Sequence, residues 1–362
     1  MRTNALPPHG LRSFLWVLLS FVFALAACQP VPAPGELNTP SAPDTAIPTS
    51  IPTATRLEPT AAQASAAAPQ LLKEFAVTYP SRLIWSADGA RLAVLGEAGL
   101  TLLDAETLQP ILERAIASPA RVLDFSLDGK TLAFTPDGQT IELDDVDSDQ
   151  TPLTIQPGGA FQRAVFSPDG RWLAVDSMDQ MAYTLWDVAS GQRGVTLSGF
   201  VTAAPIYAAD FSPSGRKLVW YARGTIQEMD IASGKLAAEI GHEDFISAFA
   251  ISPDDGRLAT AAGGTLNGQF VPLIHMWNPQ SGAQIGVYPQ SKFASALAFS
   301  PDGATLAAGI GGDVLLLNPS NGQVLQSFHA SDDAVTALAY SPDGSRLATA
   351  GSDGQVRLWN LK

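Results

Sequence analysis

His329, Thr349, Asp353 and Trp359 bring an imidazole, a hydroxyl, a carboxylate and an indole together near the C-terminus, side chains that could be read as a charge relay. His242, Thr260 and Trp277 repeat part of that set upstream, with no matching Asp. A set that recurs along the chain is architecture rather than an active site. The run Asp145-Val146-Asp147-Ser148-Asp149 alternates carboxylates as a calcium loop would. An EF-hand-like loop wants Gly at its sixth position and Glu at its twelfth, where Gln150 and Gln156 stand instead. Gly309-Ile310-Gly311-Gly312 has the glycines of a dinucleotide loop but no following helix whose terminus could hold a phosphate. His242-Glu243-Asp244 has no second histidine nearby in sequence. Neither Gly-x-Ser-x-Gly nor His-Glu-x-x-His occurs. No catalytic residue, metal site or cofactor is assigned on these motifs.

Composition narrows the classes further. Of 362 residues, 21 are Lys or Arg and 35 are Asp or Glu, a net charge of −14. Like-charge repulsion then argues against nucleic acid and anionic lipid surfaces as partners. The single cysteine excludes a disulfide framework and a cysteine zinc site, and 4 His make a histidine metal centre a poor expectation. A hydrophobic fraction of 46% is that of a globular protein.

The elements that must carry any function are preceded by two non-core segments. Arg2 and Arg12 lie in an acid-free stretch before the apolar run Phe14 to Ala27. Fourteen helical residues rise about 21 Å, short of the roughly 30 Å of a bilayer core, so the run reads as an export signal over residues 1–27. Its end, Leu25-Ala26-Ala27-Cys28, resembles the bacterial lipobox. That resemblance implies cleavage before Cys28, lipidation of its thiol and an extracytoplasmic protein held to a bacterial membrane through Cys28 alone. Residues 29–70 contain 9 Pro, 10 Ala, 6 Thr and 3 Ser and no aromatic residue. Such a stretch cannot bury enough apolar area to offset its ordering entropy, so 28–70 is expected to be a disordered tether.

Residues 71–362 repeat one unit about 42 residues long. Its clearest copies are Phe166-Ser167-Pro168-Asp169-Gly170, Phe299-Ser300-Pro301-Asp302-Gly303 and Tyr340-Ser341-Pro342-Asp343-Gly344; weaker ones begin at Trp85, Phe125, Phe211 and Ile251. Within each unit an alternating apolar stretch precedes the turn, in which Pro sets φ, Asp bonds back to the backbone and Gly accepts positive φ. A second strand, a turn and a third strand follow, the third ending in an apolar residue and Asp or Asn, as in Trp186-Asp187 and Trp359-Asn360. Several units then show a Ser-Gly or Asn-Gly turn before a fourth strand.

Period, strand count and Trp-Asp ending together resemble the WD40 family, and the resemblance covers essentially the whole of 71–362. It implies an all-β fold: a seven-bladed β-propeller of four-stranded antiparallel blades. It also implies that His329, Thr349, Asp353 and Trp359 form a structural hydrogen-bonded tetrad tying strands within a blade. A related propeller of the TolB type, whose repeats also carry Ser-Pro-Asp-Gly, is the alternative within the fold. The last copy stops after its third strand, while Leu71–Val77 is a spare strand before the first copy. Pairing the two would close the ring and remove open edges.

Two units are longer than the rest. One excess lies around Gly263 to Phe270 in blade 5, the other around Gly199 to Tyr207 before blade 4. In the family fold both loop types emerge on one face, the top, so Phe200, Tyr207 and Phe270 are candidate anchors for a protein partner there. The reading is a membrane-anchored, non-catalytic scaffold in a bacterial cell envelope. The alternative is a hydrolase or lactonase propeller with a site in its central channel.

Overall fold

The computed structural model describes residues 68–116, 120–177, 182–197, 206–222, 224–242 and 245–362. Residues 1–67, which hold the expected signal, Cys28 and most of the expected tether, and Phe200 lie outside the described residues. The described residues form seven four-stranded antiparallel sheets. Among them no helix is long and apolar enough to cross a membrane.

Each blade begins at the turn chemistry legible in its sequence. In blade 1, Ser86 Oγ donates to Asp88 Oδ1 at 2.6 Å, and the same carboxylate oxygen accepts the Ala90 amide at 2.9 Å. The Arg91 amide returns to Ser86 Oγ at 2.9 Å, while Gly89 sits at φ 70°. Blades 6 and 7 repeat this geometry at Ser300–Asp302 and Ser341–Asp343, each at 2.6 Å. Blade 5 reads Ser-Pro-Asp-Asp-Gly, and Asp255 takes the left-handed position, φ 55°, that Gly holds elsewhere. Asp tolerates that conformation better than most side chains. Asp255 also accepts the Ser214 hydroxyl of blade 4, whose own turn has Ser214 in place of Asp.

The innermost strands are Pro80–Trp85, Arg121–Phe125, Ala164–Phe166, Ile206–Phe211, Ile246–Ile251, Ala294–Phe299 and Val335–Tyr340. The second strand of each blade is covered on both faces, which is why it reads as a continuous apolar run such as Leu92-Ala93-Val94, fully buried throughout. The cores lie between blades. Ile84, Leu95 and Leu102 of blade 1 pack on Phe125 and Leu132 of blade 2. Val314 and Leu316 of blade 6 pack on Val335, Leu347 and Trp359 of blade 7.

The ring closes as the spare strand required. Gln70–Ala76 pairs antiparallel with Gln355–Asn360 as the outermost strand of the last blade, Phe75 opposite Val356. The strand therefore starts one residue earlier than Leu71 and ends one before Val77, whose amide still bonds to Gly354 O at 2.8 Å. Blade 7 and blade 1 share a core of Ala348, Val356 and Leu358 with Leu83, Trp85 and Leu92. Trp85 Nε1 donates to Ala339 O at 3.0 Å across the same seam.

Candidate functional site

The four C-terminal side chains do not form a closed tetrad. Trp359 Nε1 donates to Thr349 Oγ1 at 3.0 Å, as the pattern implies. His329 is exposed instead, its Nδ1 2.9 Å from Asp313 Oδ1 and its Nε2 3.6 Å from Asp332 Oδ1. The hydrogen bond to Asp313 raises the imidazole pKa above its ordinary value. Asp353 takes Arg357 Nη1 at 2.7 Å and the Asp332 amide at 3.1 Å. The reason is register. In blade 5 the bonded histidine, His242, stands ten residues before the turn serine Ser252; ten before Ser341 stands Ser331, not His329. Ser331 is buried there.

Blade 5 holds the fuller version. His242 Nε2 lies 3.1 Å from Thr260 Oγ1, which also accepts Trp277 Nε1 at 3.0 Å. His275 packs edge-on against His242 with ring centroids 4.7 Å apart. Burial, then the neighbouring His242, lowers the His275 pKa to about 4, so the ring is neutral at physiological pH. All of these groups lie within the blade, where they join strands.

Other sequence motifs resolve into local structure. Asp147 pairs with Arg91 of blade 1 at 3.0 Å. Gly311 turns the chain at φ 63° between the strands Leu306–Ile310 and Asp313–Leu317. Among the described residues no group of three His, Cys, Asp or Glu could hold a metal ion.

The extra length in blade 5 is not a loop but a lengthened hairpin. Leu258–Leu266 and Gln269–Asn278 stay paired to the tip, Leu266 opposite Gln269. Asn267 and Gly268 turn it with φ 52° and 78°, the type I′ signature that suits the twist of paired strands. The tip of the Phe270 ring approaches Gly263 closely; a Cβ at Gly263 would fall 2.1 Å from it. Phe270 is nonetheless 62% exposed, and its ring centroid is 6.3 Å from that of Phe293, itself 48% exposed. Phe293 lies between the outer strand of blade 5 and the inner strand of blade 6, at the end of the ring where inner strands begin. Phe245, in the equivalent connection before blade 5, is also exposed. Phe293 and Phe245 carried no sequence signal, because an aromatic in a short connection looks the same whether it points in or out. Tyr207 belongs not to the extra loop before blade 4 but to its inner strand, at a bulge between Ile206 and Ala208.

The inner strands also line a central cavity of about 830 Å³. There Arg82 of blade 1 meets two carboxylates from other blades. Its Nη1 is 3.1 Å from Asp124 Oδ1 of blade 2, and its Nη2 is 3.6 Å from Asp210 Oδ2 of blade 4. Asp124 Oδ2 accepts the Phe166 amide of blade 3 at 2.8 Å. Burial raises the Asp124 carboxyl to about 6, although Arg82 pulls it down.

Residues 322–360, the outer strand of blade 6 and most of blade 7, match the family described as WD domain, G-beta repeat. Similar proteins include Echinoderm microtubule-associated protein-like 2 of Mus musculus and of Rattus norvegicus, each 34% identical over 124 residues. The Homo sapiens protein of that name is 32% identical over 124 residues. These alignments cover 34% of this chain, which spans only 18% of the length of the relatives it matches. The described residues therefore form a seven-bladed β-propeller whose last blade matches the WD domain, G-beta repeat family, and the other blades share that blade's turn and strand pattern.

Proposed function

We propose that the protein is a non-catalytic scaffold holding a protein partner against the upper face of the propeller, and that it works outside the cytoplasm. WD40 propellers are generally protein-interaction scaffolds. The observation that carries the assignment to one face is the exposed pair Phe270 and Phe293 on adjacent blades, supported on a hairpin the four-stranded blade does not need. Exposed aromatic anchors dominate interface energies once a partner desolvates them. The relatives matched above carry the words microtubule-associated protein-like in their name, which agrees with a protein as the kind of partner. The location rests on the export signal, the lipobox-like Leu25-Ala26-Ala27-Cys28 and the Pro-rich tether.

The test is photocrosslinking in membranes from position 270 and, as control, from Ser345 in a turn at the opposite end of the blades. A discrete adduct from 270 alone is expected, and Phe270→Ala in the parent chain should weaken capture of that partner by about 2 kcal/mol. Equal adducts from both positions, or a Phe270→Ala variant that loses stability and keeps its partner, defeats the assignment.

A further inference from the structure

The central cavity holds an uncompensated charge. Arg82 is the one cation acting on Asp124 and Asp210 among the described residues, so two carboxylates share a single guanidinium. The sharing is unequal. Asp124 is buried, lies nearest Arg82 and has the Phe166 amide on its other oxygen. Asp210 receives its own neighbour's amide, from Phe211, at 2.9 Å on Oδ1. Its Oδ2 has Arg82 only at 3.6 Å, beyond hydrogen-bond range. About half of the Asp210 side chain, 49%, faces the cavity. Desolvation by the surrounding blades raises its pKa, with Arg82 opposing, as befits a carboxylate short of partners. The walls beside it are apolar, with Leu83, Phe249, Leu297 and Leu338 lining the same space. Its volume, about 830 Å³, is that of a small-molecule site.

We propose that the central channel binds a small organic cation, a primary ammonium on an apolar stem, with Asp210 as its charge partner and the Arg82–Asp124 pair as its fixed floor. An anion meets the surplus negative charge and is repelled. A neutral molecule leaves Asp210 as it was. An ammonium supplies the missing donors at Oδ2 and lays its stem on the leucines. The same group arises from a free amine or from a lysine side chain presented by a polypeptide. The site does not involve the aromatic face, so it stands or falls separately from the scaffold reading.

Isothermal titration of the whole protein with n-butylammonium tests it, with butan-1-ol as the neutral counterpart. Butylammonium should bind and butan-1-ol should not. Asp210→Asn should weaken butylammonium at least tenfold, whereas Glu97→Gln, which removes an exposed carboxylate from a blade 1 turn, should leave the isotherm unchanged. A capped pentapeptide with a central lysine separates the sources: displacement of butylammonium by the peptide assigns the site to a polypeptide, and its failure to compete assigns it to a free amine. Equal binding of the alcohol, absence of butylammonium binding, or an unchanged isotherm in a folded Asp210→Asn overturns the proposal. Should Asp210→Asn not fold, the comparison of amine with alcohol on the parent protein decides alone.

Discussion

Thr336 of the last blade donates its hydroxyl to Pro80 O of the first at 2.8 Å, across the seam where the ring closes. The same position in blade 5, Ser247, donates to Ala294 O of blade 6 at 2.6 Å, and Ser295 of blade 6 donates to Val335 O of blade 7. In blade 2 the corresponding residue is Arg121, whose Nη2 reaches the equivalent carbonyl, Phe161 O, at 3.1 Å. Inner strands at a channel have no further strand to pair with, and these side chains satisfy carbonyls that would otherwise face it unpaired. Ser247→Ala should therefore cost about 1 kcal/mol in denaturant titration, the usual net worth of one hydrogen bond. A cost near zero means that channel water replaces the hydroxyl fully.

Closure by a strand from the other end of the chain makes a second prediction. Deleting residues 70–77 removes the outer strand of blade 7 and leaves Gln355–Asn360 as a bare edge, so the melting temperature should fall and the protein should aggregate. Deleting residues 31–65 should leave the melting temperature nearly unchanged. Identical behaviour of the two deletions contradicts the role given to the strand.

The displacement of His329 from its implied role has a direct test. Thr260→Val removes the buried hydroxyl that accepts the Trp277 indole N–H and bonds to the His242 imidazole, and should destabilise by about 2 kcal/mol. His329→Ala removes only an exposed side chain and should stay within about 0.5 kcal/mol of the parent. A large loss in His329→Ala would restore that residue to the blade's internal network.

Stability should also have a characteristic pH dependence. Asp124 has a folded pKa of about 6 against an unfolded value near 3.8, so between these values the folded state binds the extra proton. Its contribution thus falls as pH rises from about 4 to 6 and stays low above that, a loss on the order of 2 to 3 kcal/mol. Asp176 and Asp210, also raised by burial, act in the same direction. Asp88, Asp254 and Asp302, lowered first by their turn serines, act oppositely: their stabilisation is lost as pH falls below the ordinary carboxylate range. Melting temperature should peak near pH 4, where the turn carboxylates are still ionised and Asp124 is still protonated. In Asp124→Asn the decline from about pH 4 to 6 should be shallower; an identical slope would show that Asp124 does not titrate there.

The anchor is tested at one residue. Cys28→Ala should abolish incorporation of labelled fatty acid and leave the signal uncleaved at the lipobox-like site, as read by mass spectrometry of the membrane-bound chain. Continued acylation of that variant would place the lipid elsewhere.

The propeller was legible in the sequence because its defining chemistry is local. Ser300, Asp302 and Thr305 make one turn within six residues, and such a turn forms the same way wherever the chain repeats it. The count of seven, the closing strand and the Trp359–Thr349 bond follow from that repeat and its period. His329 misled because the blade reads distance from the turn, and a residue two positions off register points to solvent whatever its type. Arg82, Asp124 and Asp210 carried no signal at all: they come from three blades and are 42 and 128 positions apart in the chain. Phe270 was visible as an excess of length, whereas its exposure and its neighbour Phe293 were not. A single sequence records which turns the backbone makes; which side chains meet at the axis depends on how each blade is rotated against the next, and only burial of the apolar faces between them sets that angle.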